Sequence, residues 1–128
     1  MSRRTNGNGY EFVGIRDRGD GVIGPTDLII LRDQEGRRHE YYLGDDQARK
    51  FLHSMGMKVE ELSGLTWGQA QGRLSYLHHM RCAMRCAQNG DSAGLDAELR
   101  EAEQCARMAQ TSFDMGRAEE MRNLARQH

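Results

Sequence analysis

The apolar positions change their period once along the chain. Up to about residue 44 they fall in short, strand-like runs. Tyr10-Glu-Phe-Val-Gly-Ile-Arg16 is rich in aromatic and β-branched residues and predicts a first strand. Asp27-Leu-Ile-Ile-Leu-Arg32 is a short continuous apolar run, the pattern of a central strand. Arg38-His-Glu-Tyr-Tyr-Leu43 predicts a third strand. Asp17-Arg-Gly-Asp-Gly21 and Asp33-Gln-Glu-Gly36 read as turns, and Pro25, the only proline, precedes the second strand. Three strands with one apolar face need a cover.

After Gly44 the spacing becomes helical. Asp45 is placed to cap a short helix through about Met55, which Gly56 stops. Val59 and Leu62 mark a short turn. Thr66 caps a second helix to about Gln88, and Asn89-Gly90 ends it. Asp91 or Ser92 starts a third helix toward Ala125, with Thr111-Ser112 or Gly116 as the places where it bends or breaks. The predicted fold is α+β. A three-stranded antiparallel β-meander (10–44) is followed by a short helix and a long antiparallel α-helical hairpin (45–128). Together they form a single domain over 10–128, preceded by a flexible, Gly/Asn-rich tail at 1–9.

The faces of the two long helices suggest how they pair. The second helix carries a core stripe of Ala70, Leu74, Leu77, Met80, Met84 and Ala87. A second ridge of mostly small residues runs through Gly68, Gly72, Ser75, His79, Cys82 and Cys86. The third helix answers with Leu95, Leu99, Ala102, Ala106, Ala109 and Phe113. Small side chains let two backbones lie close, as in a short-looped helical hairpin. The third helix also outruns the second, leaving Met115, Met121 and Leu124 either to fold back under the sheet or to pack on another protomer. We favour the protomer, and expect a homo-oligomer with Gly72, Ser75, Cys82, Ala102, Ala106, Ala109 and Phe113 at its interface.

Charge narrows the partners. The 128 residues carry a net charge of -1, so no general attraction to nucleic acid or to an anionic membrane is implied. No apolar run approaches the ~20 residues that span a bilayer, so no membrane partner is expected. The start, Met1-Ser-Arg-Arg-Thr-Asn, has no apolar core of a secretory signal, and a cytoplasmic location is expected. The three cysteines are then free thiols in a reducing compartment. Only Lys50 and Lys58 are lysines, and the bias toward Arg points to a GC-rich bacterial or phage genome.

Candidate chemistry is sparse. His78, Cys82 and Cys86 stand at i, i+4 and i+8, with Cys105 returning on the next helix. They supply no obvious fourth zinc ligand, and there is no C-x-x-C, so neither a metal nor a cofactor is expected. Cys82 with His78 or His79 makes a nucleophile pair on paper, against which its mid-helix place argues. The pairs Asp45-Asp46 and Glu60-Glu61 point apart. Gly19-Asp-Gly-Val-Ile-Gly24 precedes a strand, which fails the phosphate-loop context. Arg18-Gly19-Asp20 spells an integrin tripeptide but reads as a hairpin turn. Arg73 and Arg81 project near the core stripe, with Trp67, Tyr76 and His78 nearby, and Arg117 interrupts the third helix's ridge. These six are the candidate ligand- or partner-binding residues, suited to an anionic or aromatic group. The ordinary alternative is snorkelling to solvent, or pairing with Glu103 or Glu120.

Two resemblances extend this reading. Asp46-Gln-Ala-Arg-Lys-Phe-Leu-His-Ser-Met-Gly56 followed by Leu62-Ser-Gly-Leu-Thr-Trp-Gly-Gln-Ala70 resembles a helical pair appended to various phage and bacterial proteins, about a fifth of the chain, which implies no chemistry. A three-stranded sheet followed by two long helices is similar, in architecture alone, to phage inhibitors of the Thoeris defence. That resemblance implies host-defence evasion by sequestering a cyclic ADP-ribose signal. The expectation is a small, non-enzymatic, oligomer-forming binding or inhibitory protein of phage or mobile-element origin. It would bind a host protein or sequester an anionic, nucleotide-like ligand. The alternatives are an accessory nucleic-acid-binding protein using Arg3, Arg4, Arg16, Arg37 and Arg38, and a small hydrolase built on Cys82 and His78.

Overall fold

A computed structural model describes residues 9–19 and 21–128. The expected tail, apart from Gly9, lies outside the described residues, as do Arg3, Arg4 and Asp20 of the Arg18-Gly19-Asp20 turn. The chain is α+β and divides into two compact units, Met1–Gln71 and Gly72–His128.

The first unit holds the meander: β1 (Glu11–Arg16), β2 (Leu28–Arg32) and β3 (Arg38–Tyr42), antiparallel in the order β1-β2-β3. β2 is central, and its Ile29, Ile30 and Leu31 are all buried, which is why its apolar run does not alternate. Residues opposite one another share a face. One face therefore carries Phe12, Leu31 and His39, then Ile15, Ile29 and Tyr41. A bulge between Phe12 and Gly14 lets β1 keep both Phe12 and Ile15 on that face.

Buried Asp27, 2 % exposed, organises the connection from β1 to β2. Its carboxylate accepts the Arg18 N–H at 3.0 Å and the Gly24 N–H at 2.7 Å. Asp33 does the same in the β2–β3 turn, accepting from Glu35 and Arg37. The His39 ring, 2.7 Å from Asp33, is the main influence that lowers the Asp33 carboxyl below its ordinary range.

Helix α1 (Asp46–Ser54) follows, then a 3-10 turn at Val59–Glu61. Ala48, Phe51 and Leu52 form the buried stripe of α1. Asp45 holds the N-cap position as predicted, but its side chain accepts no cap hydrogen bond. Helix α2 (Trp67–Gln88) begins in this unit behind a Thr66/Gln69 capping box, each side chain bonding the other's backbone N–H.

The first turn of α2 finishes the sheet. The Ile15 N–H and C=O point away from β2, along the free edge of β1. Gln71 Oε1 accepts from that N–H at 2.9 Å, and the Trp67 indole N–H donates to that carbonyl at 2.7 Å. Two side chains one helical turn apart thus satisfy an edge that would otherwise invite another strand.

The second unit contains the rest of α2, then α3 (Ser92–Met108) and α4 (Met115–Arg126). α2 and α3 are antiparallel, and the small residues set their spacing. A Cβ on Gly72 would stand 2.9 Å from the Ala109 nitrogen and 3.0 Å from the Cys105 carbonyl oxygen. At the other end of the pair, a Cβ on Gly94 would stand 3.0 Å from Cys86 Sγ. Gly68, placed on the same ridge by its spacing, has nothing within 4 Å of its would-be Cβ and takes no part.

The third predicted helix is two helices. α3 stops at Met108 because Gln110 adopts the left-handed conformation, φ 56°. Asp114 then caps α4 by accepting the Arg117 N–H at 3.0 Å. Phe113 consequently sits in the connection rather than on a helical ridge. α4 returns onto its own hairpin. Ala118, Met121 and Ala125 enter one core with Ala83, Ala87, Leu95 and Leu99. Of the overhang expected beyond α2, Met121 is buried in this core and Leu124 packs against it, whereas Met115 stays exposed.

Candidate functional site

The connection between α3 and α4 forms an elbow. The Tyr76 hydroxyl, from α2, accepts the Asp114 N–H at 3.1 Å. The Tyr76 ring meets Phe113 edge to face, with centroids 6.3 Å apart and planes at 72°. Asp114 also fixes the first turn of α4 at Arg117. The structure thus brings together three residues singled out from the sequence: Tyr76, Phe113 and Arg117. The Arg117 side chain lies 3.6 Å from Glu120, the ordinary pairing, on an exposed surface.

Two methionines flank this elbow: Met115, which the sequence leaves to pack on another protomer although outside the expected interface set, and Met108, which the sequence does not single out. Met108 ends α3 and is 46 % exposed; Met115 opens α4 and is 74 % exposed. The signal was available: a helix broken near Thr111 leaves both residues at free ends.

A second cluster lies farther along α2. His79 Nδ1 is 2.7 Å from Glu98 Oε1, linking α2 to α3. His78 Nε2 lies 3.7 Å from Cys82 Sγ, and Arg85 Nη2 lies 3.8 Å from the same sulfur. The thiol sits beside an imidazole and a guanidinium, half-buried in mid-helix. Burial, then the nearby Asp91 and Glu98, push the Cys86 thiol up. Burial and Glu101 do the same at Cys105. Among the described residues, no three His, Cys, Asp or Glu side chains group as metal ligands.

The other predicted residues disperse. Trp67 belongs to the first unit, and its indole N–H is taken by Ile15. Arg73 is half-buried on α2. Arg81 is half-buried too, its pKa lowered by desolvation and by the like charge of Arg85. Of the expected interface, Gly72, Ala102, Ala106 and Ala109 are buried inside one chain, while Ser75, Cys82 and Phe113 are half-buried.

No protein-family model, curated protein or solved structure matches the chain. Its class is therefore that of its own geometry: an α+β chain whose second unit is a helical hairpin with a third helix folded back on it. No helix among the described residues is long and apolar enough to cross a membrane.

Proposed function

We propose that the chain is a non-enzymatic binding protein that self-associates through the elbow of its second unit. The observation that carries this reading is the exposure of Met115, at 74 %, and of Met108, at 46 %, on either side of the Tyr76–Phe113 pair. Thioether side chains adapt to a facing surface, and apolar side chains grouped at an exposed edge gain most from a partner. A second copy is the simplest occupant, because a two-fold contact sets the same patch on both sides. The inner ridge of small residues supports the reading indirectly. It holds the hairpin rigid, so the elbow is presented without ordering a loop on binding. The proposed contact shares Phe113 with the expected interface but otherwise uses Met108 and Met115 instead of the buried Gly72, Ala102, Ala106 and Ala109.

Sedimentation velocity of the full chain tests the proposal. The wild type sediments as an oligomer, and Met115→Asp sediments as a monomer with an unchanged far-ultraviolet circular dichroism spectrum. A wild type that stays monomeric into the high micromolar range would falsify it, as would a Met115→Asp variant that associates as before.

A further inference from the structure

The first unit carries a cleft between α1 and the 3-10 turn, with a volume of about 380 Å³, whose surface is mostly apolar and whose lining residues include three cations. Arg49, Lys50 and His53 line it from one side of α1, and Lys58 lines it from the turn. Met57 and Val59, both buried, provide apolar surface at its floor. The two lysines of the chain, 50 and 58, are both here.

The charges in the cleft are unequally engaged. Arg49 Nη1 lies 3.3 Å from Glu60 Oε2 and ties α1 to the turn. The hydrogen bond Glu60 makes within its own backbone, then Arg49, hold its carboxyl below the ordinary range. Glu61 faces its own backbone, accepting the Lys58 N–H at 2.9 Å. The side chains of Lys50 and His53 make no hydrogen bond or ion pair among the described residues. The charged residues lining the cleft are Arg49, Lys50 and Lys58 against the single carboxylate of Glu60, on which both Arg49 and Lys58 act.

We infer that this cleft binds a small organic phosphate, with the phosphate on Lys50 and Lys58 and an apolar body on Met57 and Val59. A phosphomonoester carries nearly two negative charges at neutral pH, which two lysines match as point charges. The apolar floor favours an ester over the inorganic ion. The volume falls within the ~300–1,000 Å³ usual for small-molecule sites. This site is independent of the elbow and belongs to the other unit.

Titration of the full, isotope-labelled chain with phenyl phosphate, followed by amide chemical shifts, tests the inference. Phenyl phosphate saturably shifts Lys50, His53, Met57 and Lys58. Phenol and inorganic phosphate bind at least about tenfold more weakly, each lacking one half of the recognition. The double variant Lys50→Gln/Lys58→Gln loses about tenfold or more in affinity while its spectrum keeps the dispersion of the wild type. Raising the salt concentration weakens the wild-type complex, a readout that needs no variant to fold. Absence of saturable shifts at these residues, equal binding of inorganic phosphate, or an affinity indifferent to salt overturns the site. The Met115→Asp variant binds phenyl phosphate as the wild type does, so failure of self-association leaves this result standing.

Discussion

Gly72 lies against the backbone of α3, with the Ala109 nitrogen 2.9 Å and the Cys105 carbonyl oxygen 3.0 Å from where its Cβ would be. Those are backbone atoms of a helix end and cannot swing aside. Gly72→Ala therefore forces α2 and α3 apart, and we predict a loss of about 1–3 kcal/mol in urea unfolding. Gly68→Ala, four residues earlier in the first turn of α2 and with open space around it, changes stability by no more than about 0.5 kcal/mol. Equal responses at the two positions would contradict the close approach.

Asp27 makes a second prediction. Its buried carboxylate accepts two backbone N–H groups that no other group satisfies in the hydrogen bonds described. Asp27→Ala leaves both unpaired and costs about 2–4 kcal/mol, measured by chemical denaturation. Loss of less than a few tenths of a kcal/mol would mean that the connection finds other partners.

The edge of β1 depends on Gln71 and Trp67. Gln71→Leu removes the acceptor for the Ile15 N–H. Hydrogen exchange at the Ile15 amide is then faster than in the wild type by about a factor of 5–30, the equivalent of 1–2 kcal/mol. The Leu substitution keeps the bulk of the side chain, so the change reports the hydrogen bond. Unchanged exchange at Ile15 would assign its protection to another group.

Tyr41 supplies a pH dependence. The hydrogen bond with Tyr10, 3.1 Å between hydroxyl oxygens, is the main influence that pushes the Tyr41 phenol up to about 12, from an ordinary 10.0. The folded state holds that proton more tightly than the unfolded chain does. The stabilisation is therefore full below about pH 10 and is lost as the pH rises toward about 12. Tyr10→Phe brings the Tyr41 titration back toward 10, seen in tyrosinate absorbance. A Tyr41 titration indifferent to that substitution would remove Tyr10 as the cause.

Much of this fold is legible in residue order, for definite reasons. The apolar run Leu28–Leu31 reads as a central strand because Ile29, Ile30 and Leu31 are buried in succession. Thr66, Asp91 and Gly56 read as helix boundaries because capping chemistry is local. The ridge of small residues on α2 and α3 identifies their close pairing, except at Gly68. Other features depend on tertiary context. The break between α3 and α4 falls at Thr111-Ser112, one of the places the sequence marks, but the heptad runs unbroken from Leu95 to Phe113, and the left-handed Gln110 and the Asp114 cap fix where the chain turns. Trp67 reads as a candidate binding residue, and Gln71 carries no signal, until β1 supplies Ile15. The gathering of Lys50, His53 and Lys58 needs the turn at Gly56, which brings the second lysine back toward the helix carrying the first.

The elbow contact is tested most directly by nuclear Overhauser effects between copies. One sample combines chains labelled only at methionine methyls with chains labelled only at amide nitrogen in a deuterated background. The account predicts intermolecular effects from the methyls of Met108 and Met115 to amides around residues 108–117. Their absence, or intermolecular effects confined to the rest of the surface, would contradict it.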